Sequence, residues 1–375
     1  MTEPKKQVRE MSGIAAVAGT AQAKVKANIA CLSVPVRRIV TFHMNGLGDL
    51  LFTLPALDAI RESFPGAVIT AVVPRAFMDL MQDSPLVDVL LPRPKSNVSD
   101  QARMMKRLRD QHFDLAFGFS ATRKTAFYLW ATGAAIRAGY AHAKMPQLLT
   151  HTVEIEGPPR IETHLEIVNA VGGHSHQSDY RDLLTISPQH FRLADQLLES
   201  SGVKSTFAVV AAAASSRRTI KEWMPDYWQQ TIEKLAAQMP VVLVGTTPSE
   251  EITSGLKAGL PVYDFGGRTD LAVLAAMCGR ARLFVGIDSG VLHLAACMGT
   301  PVVGIYGPSD WRLTGPRGVP YRIARHEIEC SPCKLSQCKW QGDMERACLT
   351  RLKPEQVLKA IDELLLESGG PAREQ

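Results

Sequence analysis

Arg38-Ile39-Val40-Thr41-Phe42-His43-Met44-Asn45-Gly46-Leu47-Gly48-Asp49-Leu50-Leu51 decides how the chain is read. Residues 39–43 form a short β-rich run and 45–48 a glycine turn, and Leu50, Leu54, Leu57 and Ile60 recur at helical spacing through residues 49–63. That order predicts a strand, a tight turn and a helix, with Pro65-Gly66 as the stop. Working outward, strands are expected at 68–73, 87–91 and 113–119, and helices at 76–81, 98–111 and 122–133. Such alternation implies a parallel sheet covered by helices.

The alternation restarts after a polar, turn-rich stretch, Gly172-Gly173-His174-Ser175-His176-Gln177-Ser178-Asp179. Residues 188–201 read as a connecting helix, and strands follow at 207–212, 241–245, 261–264, 283–286 and 302–306 with helices between them. A length of 375 residues exceeds what one compact core usually serves. The expected architecture is therefore α/β with two doubly wound halves: a flexible tail over 1–35, one domain over 36–190 and a second over 191–368. Ligands of such sheets bind at the carboxyl ends of the strands, which directs attention to the cleft between the halves.

Composition sets outer limits. With 46% hydrophobic and 21% charged residues the chain falls outside the disordered, collagen-like and small disulfide-stapled classes. Its net charge of +5 is uneven: +3 over residues 1–35, −2 over 36–92, +7 over 93–144 and −3 over 145–375. No basic motif with interleaved aromatics is present, so no nucleic-acid partner is expected. No run reaches the ~18 apolar residues that span a bilayer, so a soluble or peripheral protein is expected. Lys5, Lys6 and Arg9 precede a weakly apolar run, and Ala21-Gln22-Ala23 imitates a cleavage site. That run carries Ser12 and Gly13 but no Leu or Phe, and Glu3 and Glu10 sit among the cations, so residues 1–35 read as a tail rather than a signal peptide.

Four stretches could carry chemistry. Gly46-Leu47-Gly48-Asp49-Leu50-Leu51 has two glycines of a dinucleotide fingerprint, but Leu51 stands where the third is required, which disfavours a nicotinamide enzyme. Asp49 opens the helix at the end of the first strand, and an N-cap role worth ~1 kcal/mol would by itself account for it. Ser215-Ser216-Arg217-Arg218-Thr219-Ile220-Lys221-Glu222-Trp223 follows the first strand of the second half; three hydroxyls and three cations there suit a phosphate, against the plainer reading of a solvated loop. Gly286-Ile287-Asp288-Ser289-Gly290-Val291-Leu292-His293 ends a strand and opens a helix whose free N–H groups attract an anion. Asp288 and Ser289 are expected to cap that helix, and His293 lies one turn in. Taken singly, these would be an ordinary cap and a core histidine.

The fourth stretch holds Cys330, Cys333, Cys338 and Cys348, whereas Cys31, Cys278 and Cys297 are scattered. Four thiolates at short spacing could hold a structural zinc or iron, but the interval from Cys338 to Cys348 is not a Cys-x-x-Cys pair, and reduced thiols or a disulfide fit as well. No Asp-x-Asp occurs, so the usual carboxylate pair for a metal-diphosphate is missing and protein cations would have to neutralise any diphosphate.

At these residues the sequence resembles the heptosyltransferases of lipopolysaccharide core assembly, glycosyltransferase family 9. The resemblance runs from about Arg38 to Leu364 and is carried by Gly48-Asp49 with Thr53-Leu54-Pro55-Ala56-Leu57, by Lys221-Glu222-Trp223, and by Asp288-Ser289-Gly290 with His293-Leu294-Ala295-Ala296. Gly299-Thr300-Pro301-Val302-Val303, Tyr306-Gly307-Pro308-Ser309-Asp310 and the Cys-rich stretch 330–348 extend it. The long N-terminal tail and a Ser at position 289 depart from the familiar pattern.

The resemblance implies a GT-B fold, two Rossmann-like domains facing across a cleft, with the acceptor on the first and the ADP-sugar donor on the second. It implies an inverting transfer of heptose from ADP-heptose to Kdo-lipid A or a heptosylated core, at the cytoplasmic face of an anionic inner membrane and without a required cofactor. Asp49 would be the general base. Ser215, Ser216, Lys221, Asp288, Ser289, Gly290 and His293 would bind the donor, and Glu250 or Glu251 would contact its ribose. The +7 segment would face the anionic lipid, with Met104, Met105 and Leu108 permitting a membrane-facing helix. Rival readings are another acceptor such as a protein hydroxyl, a sugar-nucleotide epimerase of the same fold, and a binding module built on the cysteines.

Overall fold

The computed structural model describes residues 35–368, apart from 96, 155–159, 177 and 214–218. The first half runs β1 (Arg38–Phe42), α1 (Leu47–Phe52), α2 (Leu54–Ser63), β2 (Val68–Val73), α3 (Met78–Met81), β3 (Val89–Pro92), α4 (Val98–Arg109), β4 (Leu115–Gly118), α5 (Arg123–Ala131), β5 (Ile136–Tyr140), β6 (His151–Val153) and α6 (Ile161–Asn169). After α7 (Pro188–Ser200) the second half runs β7 (Ala208–Ala211), α8 (Pro225–Ala236), β8 (Val241–Leu243), α9 (Glu250–Thr253), β9 (Val262–Asp264), α10 (Leu271–Arg280), β10 (Leu283–Ile287) and α11 (Gly290–Cys297). It ends with β11 (Val302–Ile305), α12 (Trp311–Thr314), β12 (Tyr321–Ala324), α13 (Ala347–Thr350) and α14 (Pro354–Glu367).

Each half is one six-stranded sheet in which neighbouring strands are parallel. The orders β3-β2-β1-β4-β5-β6 and β9-β8-β7-β10-β11-β12 are the same order twice. In both, the chain reverses direction of growth beside the first strand, which opens a crevice at the carboxyl ends of β1 and β4 and of β7 and β10. β10 is buried along its whole length between β7 and β11, with Val285 opposite Val210 and Val303, which is why it reads as an unbroken apolar run. One continuous apolar cluster includes Leu51 and Leu57 of the first half, Tyr180 of the crossover, and Phe284 and Leu294 of the second half.

Several sequence expectations change. The helix predicted over 49–63 is two helices: it begins at Leu47, breaks at Thr53 and resumes with Pro55 near the N-terminus of α2, where proline has no amide to lose. Strands β5, β6 and β12 and helix α6 were not anticipated. The apolar face of α4 is not available to a membrane: Met104 and Leu108 are buried against Val40, Phe42 and Phe113, and Met105 packs beside them. Among the described residues no helix is long and apolar enough to cross a membrane.

Candidate active site

Each crevice is furnished by a helix that follows one of its two strands, α1 after β1 in the first half and α11 after β10 in the second. Gly46 takes an extended N-cap conformation, which places Asp49 at the third helical position rather than at the cap. There its Oδ2 accepts the Gly46 N–H at 3.1 Å, so the carboxylate closes the turn backwards while remaining on the exposed side of α1.

Beneath α1 lies a buried, neutral polar layer. Thr53 donates its hydroxyl to Leu50 O at 2.6 Å, so its oxygen accepts from Nδ1–H of His43 at 2.8 Å, and Nε2 of His43 in turn accepts from Thr41 at 2.9 Å. Tyr140 and Nδ1 of His164 are 2.6 Å apart. Burial pushes both histidines down to about 3. Burial also raises Tyr140 well above the usual phenol range, and the charge of Asp49 adds to that rise.

In the second half, β10 delivers Asp288 to the base of the crevice, 7% exposed. The Lys221 ammonium, on the turn Thr219–Lys221, bonds Asp288 Oδ2 and reaches Asp288 O at 3.3 Å. The two residues that follow Lys221 are tied to the C-terminal part of the chain: Arg346 of the Cys-rich segment donates to Glu222 O, and Trp223 Nε1 donates to Leu352 O at 3.0 Å. Ser289 is the N-cap of α11, but its side chain makes no capping bond and its buried hydroxyl has no hydrogen-bond partner among the described residues. Asp288 and Ser289, expected as capping side chains, thus do other things: Asp288 pairs with Lys221 and Ser289 leaves the α11 amides unclaimed by its hydroxyl.

His293 is buried, with Nδ1 3.1 Å from the Tyr180 hydroxyl and Nε2 3.9 Å from Asp288 Oδ1. Burial pulls it down to about 4, with Asp288 opposing and Lys221 reinforcing the shift. Its ring packs on Phe52 of α1 at 4.7 Å between centroids. The two halves meet here. A β-carbon on Gly290 would lie 2.8 Å from Leu47 Cβ and 3.0 Å from Gly48 N, and one on Gly48 would lie 3.2 Å from the His293 ring. The helix bearing Asp49 therefore abuts the helix bearing Ser289, Gly290 and His293.

Ser215 and Ser216 lie outside the described residues. Glu250 and Glu251 open α9, exposed, at the carboxyl side of β8. Sequence reasoning missed Tyr180, Phe52 and Gly48 as parts of this junction; Tyr180 sits in the crossover segment, where neither periodicity nor a motif marks it.

Cys330, Cys333, Cys338 and Cys348 are free thiols lining one small pocket with Ile220, Trp340 and Arg346. The Arg346 N–H donates to Cys338 Sγ at 3.3 Å, and burial together with the other three cysteines pushes Cys348 up to about 11. Among the described residues no group of three or more His, Cys, Asp or Glu side chains is arranged to hold a metal ion. Of the alternatives left open by the sequence, the described residues show reduced thiols sharing a pocket. Cys278 and Cys297 are buried in α10 and α11.

Comparison with known proteins agrees with the architecture. Lipopolysaccharide heptosyltransferase 3 of Escherichia coli is 22% identical, with 86% of this chain and 97% of that protein covered. Lipopolysaccharide heptosyltransferase 1 of Pseudomonas aeruginosa is 24% identical over 88% of this chain and 98% of its own length. The solved structure of E. coli ADP-heptose lps heptosyltransferase II superposes with a TM-score of 0.72 at 20% identity, covering 89% of this chain and 100% of that one, which supports the GT-B fold. The model of glycosyltransferase family 9 (heptosyltransferase) matches residues 101–343, nearly two thirds of the chain. With its motifs in order on these two sheets, the chain belongs to glycosyltransferase family 9, the heptosyltransferases.

Proposed function

We propose that this glycosyltransferase moves heptose from ADP-heptose to the inner core of lipopolysaccharide with inversion. The observation that carries the reading is the junction itself: a carboxylate-bearing helix from one half abuts an anion-ready helix terminus from the other, at the two strand-order reversals. Domain 36–190 would hold the acceptor and domain 191–368 the donor.

In this mechanism the acceptor hydroxyl attacks the anomeric carbon as its bond to the diphosphate oxygen breaks, through an oxocarbenium-like transition state. ADP leaves with the bonding electrons, and Asp49 takes the hydroxyl proton. Aspartate, ordinarily near ~3.9, suffices because the proton becomes acidic once the new bond forms. The diphosphate charge meets the α11 amides and the unpartnered Ser289 hydroxyl. Among the described residues Lys221 spends two of its three N–H groups on Asp288, and the third would serve a phosphate oxygen. Ser215 and Ser216 would add hydroxyls, His293 a ring N–H, and Glu250 or Glu251 a ribose contact. In this scheme protein groups supply the positive charge that a metal would otherwise bring.

The acceptor domain has a surface suited to the cytoplasmic face of an anionic inner membrane. The outer side of α4 exposes Arg103, Lys106, Arg107 and Arg109. Beside it, α5 exposes Arg123 and a stacked pair, Phe127 and Trp130, with centroids 5.7 Å apart. Cations draw anionic headgroups and Trp favours the interface. Two others of the +7 segment act internally: Arg93 bonds Met44 O at 2.7 Å and Arg137 bonds Leu148 O at 2.8 Å. Binding to anionic vesicles should fall with added salt and with Trp130→Ala; salt-insensitive binding would count against this surface.

Incubation with ADP-heptose, with and without Kdo-lipid, tests the main reading. ADP released only when acceptor is present supports transfer. A changed nucleotide sugar without acceptor would indicate an epimerase, and no turnover in either case a binding module.

A further inference from the structure

We infer that Tyr180 is a positioning residue for the transfer reaction: its hydroxyl fixes His293 as the tautomer protonated on Nε2, so that the ring presents an N–H to the donor diphosphate. The inference rests on the donor-site reading above and adds a residue, from the crossover, that neither the motifs nor the family assignment supplies.

The hydrogen-bond geometry admits one consistent assignment. Tyr180 is fully buried, and its oxygen accepts the backbone N–H of Arg317 at 3.2 Å. The phenol proton must then go elsewhere, and Nδ1 of His293 stands 3.1 Å away. Were Nδ1 protonated, both groups would offer a proton along the same line and the buried hydroxyl would lose its acceptor, at a cost of ~1–3 kcal/mol. The satisfied arrangement is O–H of Tyr180 to Nδ1, with the ring proton on Nε2.

That proton has a defined outlook. Asp288 Oδ1, at 3.9 Å from Nε2, is beyond hydrogen-bond reach. Nε2 lies 4.0 Å from where a Gly48 β-carbon would be, so it faces the junction of α1 and α11. A diphosphate offers only acceptors, so a ring locked as a donor suits it. Such a ring, with Nδ1 already accepting, cannot take the acceptor's proton, which leaves that task to Asp49. Tyr180 is itself held from several sides: it stacks on Phe52 at 5.9 Å, and its carbonyl accepts from Cys297 Sγ at 3.1 Å.

The test uses the full chain. In ¹⁵N NMR of histidine-labelled protein, with His293→Ala identifying the signal, we expect a protonated-type Nε2 and an unprotonated Nδ1; the opposite tautomer overturns the inference. Tyr180→Phe, which keeps the ring packing, should lower kcat/KM for ADP-heptose about tenfold, in line with a hydrogen bond to a charged group. In a His293→Ala background the same change should cost nothing further, whereas additive losses would show that Tyr180 does not act through His293. If the wild-type protein transfers no heptose, the functional reading fails while the NMR measurement still decides the tautomer.

Discussion

Gly290 meets Gly48 with no side chain between them, where the N-termini of the helices after β1 and β10 come together. A β-carbon at 290 would stand 3.0 Å from Gly48 N, a backbone atom that cannot swing aside. Gly290→Ala is therefore expected to force the halves apart locally, lowering stability by about 1–3 kcal/mol. Transfer should fall more than tenfold, because small misplacements of reacting groups are costly. Thermal unfolding and ADP release measure both. Gly66→Ala, with nothing within 4 Å, is the control expected to be near neutral.

Asp49→Ala should abolish transfer while leaving ADP affinity within about threefold, since the groups proposed to bind the donor belong to the other half. Asp49→Asn keeps a carbonyl oxygen able to accept the Gly46 N–H and should be equally inactive. Appreciable turnover by either variant would remove Asp49 from the role of base.

Lys221 and Asp288 form a pair whose side chains are only 13% and 8% exposed. Removing one partner strands the other charge, so Asp288→Ala is expected to cost about 3–5 kcal/mol of stability. The double variant Lys221→Met with Asp288→Leu should recover much of that loss, yet bind ADP weakly. Calorimetric unfolding alongside ADP titration separates the two effects; recovery of ADP affinity in the double variant would argue against a donor role for Lys221.

His43, His164 and His293 are neutral in the fold, held at about 3, 3 and 4 by burial. Unfolded, each would titrate near ~6.5. Between pH 6.5 and about 4 the unfolded chain thus binds more protons, so stability should be full above about pH 7 and fall as the medium is acidified. Once its unfolded form is protonated, each histidine contributes up to ~1.4 kcal/mol per pH unit. A melting temperature followed from pH 7.5 to 4.5 checks the slope, and His164→Asn should flatten it by about a third.

The parts legible in the sequence were those whose signal is local. Buried central strands stand out, β10 as a continuous apolar run and β1 as a β-rich one, and the Gly-Asp and Asp-Ser-Gly turns sit where a strand hands over to a helix. The strands missed had weaker signals: β6 has three residues, β12 is a half-exposed edge carrying Arg322, and β5 contains Arg137 and Gly139. Asp49 looked like a cap because the helix start could not be placed to the residue; Gly46 moved it by a turn's fraction and made Asp49 the third residue. Tyr180 was invisible because everything that gives it meaning, Phe52, His293 and Arg317, is more than a hundred residues away in the chain.

Tyr180 rests on a ring of the first half while its hydroxyl steadies an imidazole of the second. Its hydroxyl and its carbonyl are both bonded to the second half, so the stack on Phe52 is the part of its setting that depends on the first. One aromatic side chain of the crossover thus carries both a contact between the halves and the orientation of a histidine at their meeting point.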